Sequence, residues 1–251
     1  MLKIYGEEKT DSEIVEFVTD YVDRVKKCKH DRYHVILAFV PEGGNRILDY
    51  GCGWGHYSVA MRDKGNIVKA IDISENEIDI CRLVWGEQKN LEFEKKSIDT
   101  FESESFDCVL SNQVIEHVHN VGNYLSEINR VLKPEGQLII ALPNVMNPRF
   151  FLGLLHSDME ERLIKLSERI LNNCDDGPGH INAWDPTHFV TLCSKVGFLL
   201  DRYIPTEGIA FPSRKPFKPY LYTGNRWLKN LSYTMVFSFK KVRYVKINQN
   251  D

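Results

Sequence analysis

Residues Arg46–Met61 read RILDYGCGWGHYSVAM. A short apolar run closing on an acid, Asp49, meets glycines at three alternate positions, Gly51, Gly53 and Gly55, and a helix-patterned segment follows. A strand, a glycine turn and a helix N-terminus in that order make a nucleotide cradle, since open α/β sheets bind ligands at the carboxyl ends of their strands. Glycine has no Cβ, so the turn can be tight and its backbone can come close to a ligand. The spacing G-x-G-x-G is not the G-x-G-x-x-G that seats a dinucleotide pyrophosphate, which argues against a dehydrogenase. A carboxylate at Asp49 would also repel a pyrophosphate while suiting a cationic amino group. A second acid, Asp72, ends the next apolar run in KAIDIS. An acid at that place accepts hydrogen bonds from both ribose hydroxyls. One acid for an ammonium and one for a ribose point to an amino-acid nucleoside.

Outward from this loop the chain alternates. RILDY, IVKAID, LEFEKK, FDCVLSN and QLIIALP read as strands. HYSVAMRDKG, SENEIDICRLVW and VGNYLSEINRVLKPEG read as the helices between them, the last ending in a Pro/Gly turn. Strands separated by helices imply a parallel sheet covered on both faces. Upstream, DSEIVEFVTDYVDRV and RYHVILAFV predict two helices, so that residues 1–41 are an N-terminal helical segment and 42–144 the cofactor-binding core. Residues 145–186 interrupt the alternation and form a lid or substrate insertion. They carry one amphipathic helix whose Leu155, Met159, Leu163, Leu166 and Ile170 fall on one stripe. An interruption of that length is the kind that covers a site. Residues 187–251 complete the single domain with a helix, THFVTLCSKVGF, the strands LLDRYI and YTMVFSFKKV, and a basic tail.

Composition is that of a globular domain: 251 residues, 43% hydrophobic and 27% charged. No apolar run approaches the ~20 residues that span a bilayer, and the start lacks the apolar core of a signal peptide. The six cysteines, Cys28, Cys52, Cys81, Cys108, Cys174 and Cys193, show no metal-type spacing. They read as reduced packing residues of a cytoplasmic protein. From Asp201 onward ten Lys/Arg face three Asp/Glu, so the tail carries +7 and the first 200 residues −10. A solvated basic face is the plain account of this split, and an anionic partner the alternative. No metal site is expected from the spacing of the His, Asp and Glu residues.

The segments ILDYGCGWGHYS, AIDIS, FDCVLSNQVIEHV and EINRVLKPEGQLIIALPN resemble the successive motifs of class I S-adenosylmethionine-dependent methyltransferases, in order and spacing. The resemblance covers about Arg32 to Arg202. It implies an α/β, Rossmann-like, seven-stranded mixed sheet, mostly parallel with the last strand antiparallel, and S-adenosyl-L-methionine as cofactor. Carried over by position, Asp49 and the backbone of Gly51, Cys52, Gly53 and Gly55, with Tyr57, would hold the methionine part. Asp72 would bind the ribose and Ile73 lie against the adenine. Ser97 and Ile98 occupy the stretch that supplies a further adenine contact, although the Asp common near Ser97 is absent. Asn112 and Gln113 would border the transferable methyl.

Methyl transfer is an in-line displacement, so positioning dominates, and a hydroxyl nucleophile also needs a base. His180 and His188, in GHINAWDPTHF, and His117, in the Glu116–His117 pair, are the candidate bases. Each has a structural alternative as a capping or packing histidine. His30, His34, His56 and His156 read as surface or helix residues. Asn144 and Trp184 are weak candidates for acceptor contact, against capping and packing roles. Arg32 and Tyr33, at the start of the second helix, are placed for a cofactor contact. The pattern LPN…NPRFF…GHINAWDPTHF…RWLKNLSYTMVF is loosely similar to sugar methyltransferases of surface-polysaccharide pathways. That favours O-methylation of a sugar, nucleotide-sugar or other small, phosphate-bearing or glycan acceptor. One alternative is RNA methylation through a tail that interleaves Arg214, Lys215, Lys218, Arg226 and Lys229 with Phe217, Tyr220, Tyr222 and Trp227. Another is a non-catalytic, cofactor-binding partner protein.

Overall fold

The computed structural model describes residues 2–154, 159–172, 179–211 and 220–245. The chain opens with a hairpin, β1 (Leu2–Ile4) and β2 (Glu7–Lys9), and two helices, α1 (Asp11–Lys27) and α2 (Arg32–Phe39). Alternation follows: β3 (Arg46–Tyr50), α3 (His56–Asp63), β4 (Ile67–Asp72), α4 (Glu75–Trp85), β5 (Leu91–Lys95), β6 (Phe106–Asn112), α5 (Val121–Val131) and β7 (Leu132–Pro143). Then come α6 (Pro148–Leu154), α7 (Met159–Asn172), α8 (Pro186–Lys195), β8 (Phe198–Thr206), the short β9 (Ile209–Ala210) and β10 (Tyr220–Leu221), and β11 (Thr234–Lys241).

The main sheet has seven strands in the order β5-β4-β3-β6-β7-β11-β8. β3 to β7 pair in parallel, and β11 enters antiparallel between β7 and β8. This is the mixed sheet that the sequence leads one to expect. From β3 the chain steps outward through β4 and β5, then returns to place β6 on the other side. The strand order reverses at β3/β6, and that is where an open sheet leaves a crevice at its carboxyl edge. Asp49, Asp72 and Asn112 stand at or near the ends of the three strands around it.

Both faces are covered for ordinary reasons. Ile14, Val18, Val22 and Val25 recur about every fourth residue of α1 and are buried, with Ile4 and Ile80 in the same cluster as the first three. A Thr10–Glu13 capping box opens α1 and the Ser74 hydroxyl opens α4. One apolar layer joins α2, α3 and α4 to the sheet, and the other joins α5 and α8.

Several elements depart from the expected pattern, among them α6, a second helix in an insertion expected to carry one, and the short strands β9 and β10. The β1/β2 hairpin precedes the N-terminal helices; its six strand residues include three charged ones facing solvent, so no apolar alternation announces it. β7 also begins at Leu132, ahead of the Pro/Gly turn expected to end a helix. A register shift opposite Phe106–Cys108 and a left-handed Glu135 (φ +63°) absorb KPEG as an irregularity inside the strand.

In the insertion, Leu163 and Leu166 are exposed, so the described part of that stripe does not pack on the core. Leu155 lies outside the described residues, as do Cys174, Arg214, Lys215, Phe217 and Lys218 of the tail. The side chains of Met159, Ile170 and Tyr220 are also outside them. Among the described residues no helix is long and apolar enough to cross a membrane.

Candidate active site

A cavity of about 870 Å³ opens at the reversal point. Its walls come from the tips of β3, β4 and β6, the loops after them, and the N-terminal hairpin. Asp49, Gly51, Cys52, Gly53, Tyr57, Asp72, Ile73, Asn112 and Gln113 all line it. Three residues placed there by sequence do not. Gly55 lies behind the loop: a Cβ on it would sit 2.7 Å from the Phe93 ring, so its role is to let α3 pack on β5. Ser97 is exposed and Ile98 buried in the core, and neither reaches the cavity wall.

The loop is built to come close to a ligand. Gly51 and Cys52 donate their N–H groups to Ile71 O at 2.9 and 3.0 Å, fixing the turn against β4. Gly51 has φ +79°, and a Cβ there would meet Val114 Cγ2 at 2.5 Å. A Cβ at Gly53 would meet nothing within 4 Å, as expected of a backbone that faces open space.

Asp72 receives the Gly53 N–H at 3.1 Å and the Ser74 N–H at 3.0 Å, so its carboxylate is oriented while lone pairs remain for a ribose. Asp49 is almost wholly buried and accepts the Ser58 hydroxyl at 2.5 Å. Burial pushes its pKa up to about 7, the Ser58 hydrogen bond opposes that rise, and the nearby Asp72 charge adds to it. An acid so placed gains most from an arriving cation.

Further residues belong to the cavity without having been singled out. Lys3, Tyr5, Gly6, Tyr50, Trp54 and Asn76 line it. His56, read as a surface or helix residue, opens α3 and lines the cavity too: burial, helped by the charges of Arg32 and Lys26, lowers its pKa to about 3, so the ring is neutral. His56 Nδ1 and Gln113 Nε2 are buried cavity-lining groups without a hydrogen-bond partner. Unpaired buried polar atoms are costly, and a polar ligand would satisfy them. Together with the open face at Gly53 they fit an amino-acid nucleoside. The signals were weak: His56 follows the glycines directly and precedes Tyr57, but nothing nearby in sequence shows that Tyr21 and Tyr33 also pack against it.

Beyond the loop, Glu116, His117 and His180 converge, each offering a ligand-type atom within 4.8 Å of the others. His117 and His180 stand 63 positions apart in the chain, so the cluster is made by the fold and not by local spacing. Backbone bonds bring them together: Ile181 and Asn182 donate to Glu116 O at 2.9 and 3.1 Å. The two imidazoles then stand edge to face, 5.0 Å between centroids. Burial raises Glu116 to about 7, and neither of its carboxylate oxygens has a partner. Burial and the neighbouring His117 lower His180. Such a donor set can take up a proton or a cation.

Of the three candidate bases only His117 lines the cavity. His188 does not: it sits in the first turn of α8, 80% exposed, bonded to the capping Asp185. Asn144 is committed to structure as well. Its amide donates to Asn230 O and Ser232 O at 2.8 and 2.9 Å, and its carbonyl accepts from Met146 N–H. Trp184 packs beside Phe189 on the core, its Nε1 unpaired. Arg32 reaches the cavity edge through Asn112, donating to its Oδ1 at 3.1 Å, and pairs with Glu207 at 2.7 Å.

Residues 48–140 match the family model described as a methyltransferase domain. The chain is 34% identical over 181 residues to a ubiquinone biosynthesis O-methyltransferase of Hahella chejuensis, a match spanning 68% of this chain and 75% of that protein. A protein of the same name from Dechloromonas aromatica is 32% identical over 113 residues, and there the match spans 48% of the relative. In fold the chain is similar to an S-adenosylmethionine-dependent methyltransferase from Mesorhizobium loti, with a TM-score of 0.58, 17% identity, and coverage of 83% of this chain and 97% of that one. It is likewise similar to a Burkholderia thailandensis 1,6-didemethyltoxoflavin-N1-methyltransferase solved with S-adenosylhomocysteine, with a TM-score of 0.54, 18% identity, and coverage of 94% and 92%.

Proposed function

Because the chain belongs to the class I S-adenosylmethionine-dependent methyltransferases, we propose that it methylates a hydroxyl of a small acceptor presented at the His117 end of the cavity. S-adenosylmethionine supplies an electrophilic methyl carbon on a sulfonium. Asp49 binds the amino group of the methionine part, and Asp72 binds the ribose hydroxyls. The Gly51–Gly53 backbone carries the segment between them. His56 and Gln113 offer their unpaired nitrogens to the same ligand. Held at both ends, the ligand keeps its methyl aimed at one place, and alignment of this kind accounts for much of the rate.

The observation that carries the reading is the Glu116–His117–His180 group beside that place. His117 takes the acceptor's proton as the oxygen attacks, a role that in other enzymes accelerates transfer by ~10²–10⁴-fold. His180, whose pKa burial and His117 lower, and Glu116, whose pKa burial raises to about 7, stand beside it to pass the proton on. Hydroxyl acceptors need such a base, whereas a neutral amine needs less.

Names of relatives point to an oxygen acceptor from ubiquinone biosynthesis, and the looser motif similarity points to a sugar. An acceptor hydroxyl is common to both, and the longer match favours a quinone-pathway intermediate. The test is an assay of S-adenosylhomocysteine release with three pools of acceptor: hydroxylated quinone precursors, nucleotide sugars, and RNA. Turnover with a small hydroxylated acceptor, lost in His117→Ala with cofactor affinity retained, is expected. Transfer confined to RNA would refute the reading.

A further inference from the structure

The hairpin β1/β2 turns through two residues, Tyr5 and Gly6, with Ile4 paired to Glu7. Both turn residues have positive φ, +53° and +84°. A two-residue turn of that kind favours Asn-Gly or Gly-Gly, because a side chain with a bulky Cβ substituent is strained in the left-handed region. A tyrosine there is a poor choice for the turn. It is also a poor choice for solubility, since the residue is 80% exposed. Strain held in place by its surroundings, at the edge of a cavity, is a mark of use.

The surroundings do hold it. Asn76, in the first turn of α4, grips the hairpin backbone in both directions: its amide donates to Lys3 O and its carbonyl accepts the Lys3 N–H, each at 2.8 Å. Ile4 is buried among α1 and α4 side chains. The Tyr5 ring is held edge-on by Phe17 and Trp54, at centroid distances of 6.0 and 5.8 Å. So positioned, Tyr5 lines the same cavity as Asp72 and Ile73. Ile73 is likewise 80% exposed, and it directly follows the acid that takes the ribose. Beside Asp72 the cavity wall thus offers two exposed apolar side chains, Ile73 from the core and Tyr5 from the hairpin. Ser97 and Ile98, which sequence position assigns to the base, stay out of the cavity wall.

We propose that Tyr5 is a wall of the cofactor's purine pocket, contributed by a hairpin outside the methyltransferase domain match, and that with Ile73 it clamps the adenine ring. The proposal rests on the cofactor reading above. The ring supplies apolar and stacking contact, and the phenolic hydroxyl is not required.

The test is calorimetric titration with two ligands, S-adenosylhomocysteine and 5′-methylthioadenosine, which carries the nucleoside without the amino-acid end. Tyr5→Asn removes the ring and improves the turn, so its unliganded melting temperature should equal or exceed that of the parent. Both ligands should bind it about tenfold more weakly, the order expected for loss of one aromatic stack on a base, while Tyr5→Phe stays within twofold of the parent. The proposal is overturned if Tyr5→Asn binds both ligands like the parent, or if it loses affinity for S-adenosylhomocysteine but not for 5′-methylthioadenosine. Binding unaffected by Tyr5→Asn but abolished by Asp72→Ala would sink the purine wall and leave the cofactor reading standing. A parent that bound neither ligand would remove both.

Discussion

Asp49 sits under the glycine loop with its pKa lifted to about 7 from an ordinary 3.8, chiefly by burial. Only the ionised form attracts an ammonium group, so cofactor affinity should hold above pH 7 and fall about tenfold per unit below it. Titrations between pH 5.5 and 8 measure this, and a flat profile would show that Asp49 does not meet a charge. Unliganded stability runs the other way. A raised folded pKa means that the native state binds more protons than the unfolded chain between 3.8 and about 7, so stability declines as pH rises across that window. Asp49→Asn should remove that decline and lose cofactor binding. The glycines separate by the same local reasoning. Gly51→Ala forces a methyl against Val114 in a left-handed conformation and should cost ~1–3 kcal/mol of stability. Gly53→Ala meets no atom and should cost about 1 kcal/mol, from its φ of +50° alone. Equal losses in denaturant melts would contradict the packing difference.

Elements buried on both faces were legible because their sequences say so: RILDY, IVKAID and QLIIALP are near-continuous apolar runs, as parallel strands must be. The hairpin was not, since its stability comes from Asn76 and from one buried residue, Ile4, not from a pattern. The acids Asp49 and Asp72 were readable because each ends such a run. His180 could be named from its neighbours but not paired with Glu116, because the pairing is made by backbone N–H groups that any sequence possesses. His188 shows the converse: its neighbourhood looked functional, yet Asp185 one turn earlier claims the ring for a helix cap. The segment 180–184 therefore acts as one positioned element, and Asn182 is its anchor, donating to Val118 O at 2.6 Å and Ile115 O at 3.4 Å. Asn182→Ala should free the segment from the base. Misplacement of that kind lowers kcat/KM by about ten- to hundredfold. Cofactor affinity should stay unchanged, because Asn182 is not part of the cavity wall. Loss of both together would mean that the segment also shapes the cofactor site.

Among the ion pairs of the described residues, Arg32–Glu207 joins parts 175 residues apart in sequence. Arg32, at the start of α2, meets Glu207 between β8 and β9, and its Nε holds Asn112 at the tip of β6. Glu207 also accepts the Thr234 hydroxyl of β11, and its N–H donates to His30 O at 3.1 Å. The pair is mostly buried, with 20% and 15% of the two side chains exposed. Burial works against the Arg32 charge, but the Glu207 carboxylate, together with Tyr57, Tyr21 and Asp31, outweighs it and the pKa rises. Arg32 does not line the cavity itself; its guanidinium fixes Asn112, which does. Removing one partner leaves the other charge partly desolvated, a loss of ~3–5 kcal/mol for full burial and about 1–3 kcal/mol at this exposure. Glu207→Gln should therefore lower the denaturation midpoint and, by releasing Arg32 from Asn112, weaken cofactor binding. Saturating cofactor should restore part of the stability, since ligand at a hundred times its Kd adds about 2.7 kcal/mol to any state that binds it. The decisive measurement is the double-mutant cycle of Arg32→Ala and Glu207→Ala, read as unfolding free energy and cofactor Kd. A coupling of about 1 kcal/mol or more in both readouts is expected, because the pair serves the core and the cavity together. Additivity within ~0.5 kcal/mol would mean that the N-terminal helices and the C-terminal strands support the site independently.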